Sequence, residues 1–251
     1  ISDLFITVLQ LSPSNAPILG HICKKACLDR ILMAAFYDNA DTPNIFDPPS
    51  SRACVSLAAL SVVESTLSRL CETASILTVD GGDEMVDNET IVRLKESTEN
   101  LCSTIQVYFG DIAKQLERYA VDKPCGELTA QSKRPVSRLG HRGLQLVKLV
   151  ESLVRLGHAD LDVKLCESNV LKNTLELIFV YESNSMLHLS IQRIVLMVIE
   201  SESSRSALQK YLFVESGLLK RVMEEIRKQY PNISSGDAGP INAESHPPSL
   251  G

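Results

Sequence analysis

Apolar positions recur every three or four residues along most of this chain, a spacing that predicts helices separated by a few polar, proline-bearing breaks. The first helix is predicted over 17–37. Ser14 or Asn15 can cap it, Pro17 suits its first turn, and Ile18, Ile22, Leu28, Leu32, Ala35 and Phe36 share a side. Three prolines and Asn44 then stop the pattern. A second helix is predicted from 51 to about 76, with Val55, Leu57, Leu60, Val63, Leu67, Leu70, Cys71 and Ala74 on a broad apolar face. A third runs over 89–119 through Ile91, Leu94, Leu101, Ile105, Tyr108, Ile112 and Leu116, its middle (96–100) too polar for full burial. Loops fall near 39–50, 79–88 and 121–138, and the last of these holds Pro124, Gly126, Pro135 and the basic residues Lys133, Arg134 and Arg138.

Beyond that loop the helices shorten and a repeat emerges. Glu167-Ser168-Asn169-Val170-Leu171-Lys172 matches Glu215-Ser216-Gly217-Leu218-Leu219-Lys220 at an offset of 48, continuing to Ile178 and Ile226. Upstream, Leu144-Gln145, Val147, Leu149 and Val150 match Ile191-Gln192, Ile194, Leu196 and Met197 at an offset of 47. Helical units of this length belong to armadillo and HEAT repeats, in which no unit buries its own apolar face and stacking completes the core. Gly217 stands in a tight break that calls for positive φ, with Asn169 as the tolerated counterpart. The expectation is an all-α fold, an armadillo/HEAT-like α-solenoid of stacked helices over 1–230, with a disordered tail or linker at 231–251, where four prolines, three glycines and four serines leave little to bury.

Composition agrees with helices: 44% of residues are hydrophobic but only 5% aromatic, and Trp is absent. The net charge of −6 is uneven, with 10 basic and 17 acidic residues in 1–125 and 15 and 14 in 126–251. Neither half has the basic excess of a nucleic-acid binder. Unbroken apolar runs such as 194–199 are far short of the roughly 20 residues of a membrane span, so the expectation is a soluble chain with no span. The start at Ile1 lacks the basic lead-in and small-residue site of a signal peptide and reads as an internal start of a longer chain. Seven scattered cysteines suggest a reducing, intracellular compartment, and the expected location is the cytoplasm, with the nucleus as a further one.

Candidate chemistry is sparse. Gly81-Gly82 is the one adjacent glycine pair and no phosphate-cradling loop accompanies it. His21, Cys23 and Cys27 could be drawn as a metal cluster but lack a second ligand pair, which favours thiols packed on an amphipathic helix. His188 with Gln192, and His141 with Gln145, have no nucleophile or carboxylate at a fixed offset. The acidic stretch from Asp80 to Glu89 lacks calcium-loop spacing. The basic group Lys133, Arg134, Arg138, His141 and Arg142 suits a solvated linker, or an acidic partner surface or phosphate at the N-terminal end of a helix. Phe179, Tyr181, Tyr211 and Phe213 sit near helix ends, where a Tyr can bury its ring and keep its hydroxyl wet. The reading is a protein that is not an enzyme and takes no cofactor.

Residues 136–226 carry a resemblance. Val136, Leu139-Gly140-His141-Arg142-Gly143-Leu144 and Leu149-Val150-Glu151-Ser152-Leu153 resemble a helix start of the SAPS family, the regulatory subunits of protein phosphatase 6-type enzymes. Leu165-Cys166-Glu167-Ser168-Asn169, the helix from Leu175 to Phe179, then Tyr181, Asn184 and Leu187-His188-Leu189 resemble that family's most recognisable segment. Leu218 to Glu224 is similar to its final short helix. The chain departs in having no Trp after the aromatic pair and in its own linker at 121–135. The resemblance implies a non-catalytic scaffold that binds the catalytic subunit of a PP2A-like Ser/Thr phosphatase and directs it to substrates, with ankyrin-repeat or other scaffold proteins as further partners. Arg142, Asn169, Tyr181, His188 and Gln192 are the nominated partner-binding ridge. The alternative is a generic armadillo/HEAT adaptor for transport or cytoskeletal partners, which an asparagine ladder would favour; here Asn169 is answered by Gly217.

Overall fold

A computed structural model describes residues 2–11, 17–36, 49–78, 88–129, 135–201 and 205–230. The predicted breaks around 39–48 and 79–87, the tail at 231–251, and Lys133 and Arg134 lie outside the described residues.

The chain opens with a helix the apolar pattern did not single out, α1 (Ser2–Leu11). The helix predicted over 17–37 is two, α2 (Pro17–Ile22) and α3 (Lys25–Phe36). They part at Cys23 and Lys24, where the Lys24 amide donates to His21 O and the Lys24 carbonyl already accepts from Cys27 and Leu28. Cys23, wholly buried at this corner, holds it in the core. The second helix is α4 (Pro49–Thr78). Its segment Cys54–Ala74 is long and apolar enough, by length and composition alone, to cross a membrane, although no long apolar run marks it in the sequence. Here it is a core helix: Leu60, Val63, Leu67 and Leu70 are buried, and α1 and α3 pack on it.

The helix predicted over 89–119 also divides, into α5 (Asn88–Ile105) and α6 (Phe109–Asp122), joined by a 3-10 turn at Gln106–Tyr108. The turn leaves Val107 in solvent while Ile105 and Phe109 stay buried, and Tyr108 donates its hydroxyl to Asp29 of α3. The following linker is not simply a loop. β1 (Glu127–Thr129) and β2 (Pro135–Ser137) form an antiparallel hairpin, pairing Glu127 with Ser137 and Thr129 with Pro135. It is tied to the next helix by the Cys125 thiol, which donates to Leu139 O. Gly140, at φ +74°, is required there, because a Cβ would lie 2.5 Å from Cys125 Sγ.

Six further helices complete the described chain: α7 (Gly140–Leu156), α8 (Ala159–Glu167), α9 (Val170–Val180), α10 (Ser185–Glu200), α11 (Ser206–Lys210) and α12 (Leu218–Gln229), with a π-helical turn at Tyr211–Glu215 before the last. The fold is all-α apart from the hairpin. Asn169 (φ +60°) and Gly217 (φ +72°) start α9 and α12 from the same left-handed conformation, as their repeat positions predict.

The long helices make two layers. α7 lies between α4 and α10 in one; α6 and α9 pack together in the other, and both touch α7 from behind. α8 packs on α11 at the edge. Polar side chains stitch these contacts. Arg205 makes two 2.6 Å bonds to the carboxylate of Asp162 on α8, and Asn173 on α9 donates to Ala113 O on α6. Arg221 on α12 reaches Glu176 on α9 and lies 5.1 Å from the centre of the Phe179 ring.

Candidate docking face

The nominated ridge residues divide by where their polar atoms go. Arg142 is half-buried, donating to Gln115 on α6 (2.9 Å) and to Ala35 O at the end of α3 (3.1 Å), a carbonyl that also accepts from Ser56 on α4. It joins α3 and α6 to α7. Tyr181 is 1% exposed. Its hydroxyl is not wet, as a tyrosine near a helix end suggested, but donates to Tyr119 O at 2.7 Å. Burial, with Cys125 and Tyr119 nearby, pushes its pKa up to about 12. The carbonyl of Tyr181 accepts from the Nε2–H of His188. Asn184 caps α10 by accepting from the Leu187 amide, and Leu187 is fully buried. The aromatic and Asn-x-x-Leu-His features thus form one joint that fixes the end of α9 and the start of α10 against α6. Asn169 and Gln192 keep exposed side chains, and Gln192 lies on the outer side of α10.

That outer side belongs to a larger surface. Because α7 meets α4 and α10 on its flanks and α6 and α9 behind, its remaining stripe of His141, Lys148 and Arg155 faces outward. Two seams frame the stripe. Toward α4, the Ser152 and Ser68 hydroxyls are 3.4 Å apart, Cys71 donates to Ser152 O, and Ser68 donates to Glu64. Toward α10, Glu151 accepts from Arg155 (2.9 Å) and from Arg193 (3.5 Å). The Glu151 side chain is only 5% exposed, so one buried carboxylate holds two half-exposed guanidiniums in place. Across the face, α4 contributes Glu64 and Glu72, α7 contributes cations, and α10 adds Arg193 beside exposed Met186, Leu189, Leu196 and Ile199. Glu151, Ser152 and Arg193 were missed in the sequence as site residues; the polar pair Glu151-Ser152 set between Leu149-Val150 and Leu153-Val154 was the available signal for the first two.

Elsewhere the chemistry is that of packing. Among the described residues no group of three or more His, Cys, Asp or Glu side chains is placed to hold a metal ion. Cys23 is buried at the corner between α2 and α3 and Cys27 is half-buried on α3, so the two thiols pack as expected but do not share one helix. Burial pushes the Cys23 and Cys102 thiols up to about 12 and those of Cys71 and Cys166 up to about 11, far from a reactive thiolate. A cavity of about 370 Å³ lies between α2 and α5, walled by Leu19, His21, Lys24, Arg93, Glu96 and Ser97 among others. Arg93 there is paired with Glu89, and acids and bases on its rim nearly balance.

A family model described as SIT4 phosphatase-associated protein, SAPS, matches residues 71–239, about two thirds of the chain. This chain belongs to the SAPS family. No curated protein and no solved structure matches it. The SAPS region begins at Cys71 inside α4 and takes in α5 to α12, so it contains the Tyr181 joint, both arginines on Glu151, and the whole outward stripe of α7 and α10. SAPS proteins are phosphatase-associated regulatory subunits without catalytic function of their own, so the role of this chain is regulatory.

Proposed function

We propose that this SAPS chain is a scaffold subunit that binds the catalytic subunit of a PP2A-like Ser/Thr phosphatase of the protein phosphatase 6 type and directs it to substrates. The observation that carries this reading is the family match across α5 to α12. The helices form, on this reading, an armadillo/HEAT-like solenoid. In its support, α4, α7 and α10 adjoin in one layer and α6 adjoins α9 in the other. Ion pairs link residues 42 to 45 positions apart: Glu151 with Arg193, Asp162 with Arg205, and Glu176 with Arg221. A stacked scaffold of this kind is ordered before its partner arrives, so docking loses less conformational entropy than folding a flexible chain onto the enzyme. Asn169 and Gln192 are the ridge members with side chains free to meet a partner surface, while Arg142, Tyr181 and His188 hold the helices that present them. The cytoplasm, with the nucleus, is the expected place of action, and ankyrin-repeat or other scaffold proteins are expected to join the assembly.

The test is affinity purification of the tagged full-length protein from its native cells, followed by mass spectrometry. A phosphatase 6-type catalytic subunit should be recovered in near-stoichiometric amount. Recovery of transport or cytoskeletal proteins with no phosphatase would overturn the proposal in favour of a general adaptor.

A further inference from the structure

We infer that the outward face of α7 and α10 receives a segment of the phosphatase catalytic subunit in which carboxylates flank apolar side chains. This rests on the phosphatase-binding reading and specifies where and by what chemistry the contact is made. Three cations, Lys148, Arg155 and Arg193, gather around Glu151, whose carboxylate is buried beneath the two arginines, while the exposed Glu200 stands at the far end of α10. Around Glu151 the face therefore presents a local excess of positive charge, with carboxylates at its margins (Glu64 and Glu72 on α4, Glu200 on α10), and Arg155 (43% exposed) and Arg193 (53%) are already oriented by the shared carboxylate. A pre-positioned guanidinium pair loses little freedom on meeting a second carboxylate and can bind it through paired N–H groups. Beside the arginines, Leu189 and Leu196 are each 41% exposed and lie seven residues apart on α10, two turns along the same outward stripe. Apolar anchors beside oriented arginines form the centre-and-rim arrangement of protein interfaces. An extended phosphate backbone fits poorly, because it would run from this stripe onto Glu64 and the Arg69–Glu72 pair of neighbouring α4, which add no net positive charge.

The experiment measures binding of the full-length chain to the purified phosphatase 6-type catalytic subunit for wild type, Lys148→Glu, Leu196→Asp and Lys114→Glu. Lys114 is an exposed residue of α6 in the opposite layer, so its reversal makes the same change in net charge away from the face. Lys148→Glu and Leu196→Asp should each weaken binding at least tenfold with the helical circular dichroism of wild type, Lys114→Glu should bind as wild type, and added salt should weaken wild type more than Lys148→Glu. Wild-type affinity in both face variants overturns this inference and leaves the regulatory reading standing, as does equal weakening by Lys114→Glu, which marks a diffuse charge effect. Failure of the wild-type chain to bind the catalytic subunit at all removes the reading underneath. Loss of helical signal in a face variant shifts the decision to the other one, both being substitutions of partly exposed side chains.

Discussion

Asn169 and Gly217 perform one backbone task at equivalent repeat positions, turning the chain through the left-handed region and accepting the first helical bond, from Asn173 and Arg221 respectively. Nothing lies within 4 Å of where a Cβ would stand on Gly217, so a side chain there meets a torsional cost and no clash. Gly217→Ala should therefore lower stability by about 1 kcal/mol, while Asn169→Gly should be neutral or slightly stabilising; urea midpoints of the two variants check this. An unchanged midpoint for Gly217→Ala would mean that the turn does not hold that conformation. These two positions were legible because a repeat displays the same need twice. Arg142 was legible only as a charge, since its acceptors, the Ala35 carbonyl and Gln115, are 107 and 27 residues away and one is backbone, which no side-chain pattern announces. Tyr181 was misjudged for a related reason: its acceptor is the main chain of Tyr119, 62 residues upstream.

Between elements, the most enclosed charge contact is Arg205 with Asp162, their side chains 13% and 10% exposed, which ties α11 to α8. Removing one member of such a pair strands the other, whereas replacing both with apolar groups does not. Arg205→Ala should accordingly cost about 3–5 kcal/mol, and Asp162→Leu with Arg205→Met together should recover most of that loss, as read by denaturant unfolding. Additive losses would assign the pair no more than surface weight. The elements themselves were readable where apolar spacing was strong and the break had prolines. The helix divisions at Cys23–Lys24 and at the 3-10 turn were not, because i→i+3 hydrogen bonds let the apolar spacing run through both corners almost in phase. The hairpin escaped notice because each strand is three residues long, too short to show alternation, and Leu128 at its centre is exposed.

Over the whole molecule, the class and the second half of the fold followed from pattern and repeat, while the packing of α4, α7 and α10 into one layer depended on contacts between segments far apart in sequence. The thiols carry a molecule-wide consequence. Cys23, Cys71 and Cys102 are buried with pKa values raised above the ordinary 9.0, so the unfolded chain ionises them first as pH rises. Their contribution to stability is complete below about pH 9 and is lost progressively toward pH 11–12. Each thiol should withdraw on the order of 1 kcal/mol per pH unit in that window, so thermal melts under reducing conditions should fall from pH 8 to 10, and less steeply in Cys102→Val. A variant melting as steeply as wild type would assign the alkaline loss to other groups. Of the seven cysteines, all free, Cys54 alone is exposed, and it stands on α4, the helix adjoining the face formed by α7 and α10. The protein thus comes with its own attachment point: a maleimide dye or spin label applied to the folded chain should react there first, placing a reporter next to the surface where a partner is expected without altering a single residue.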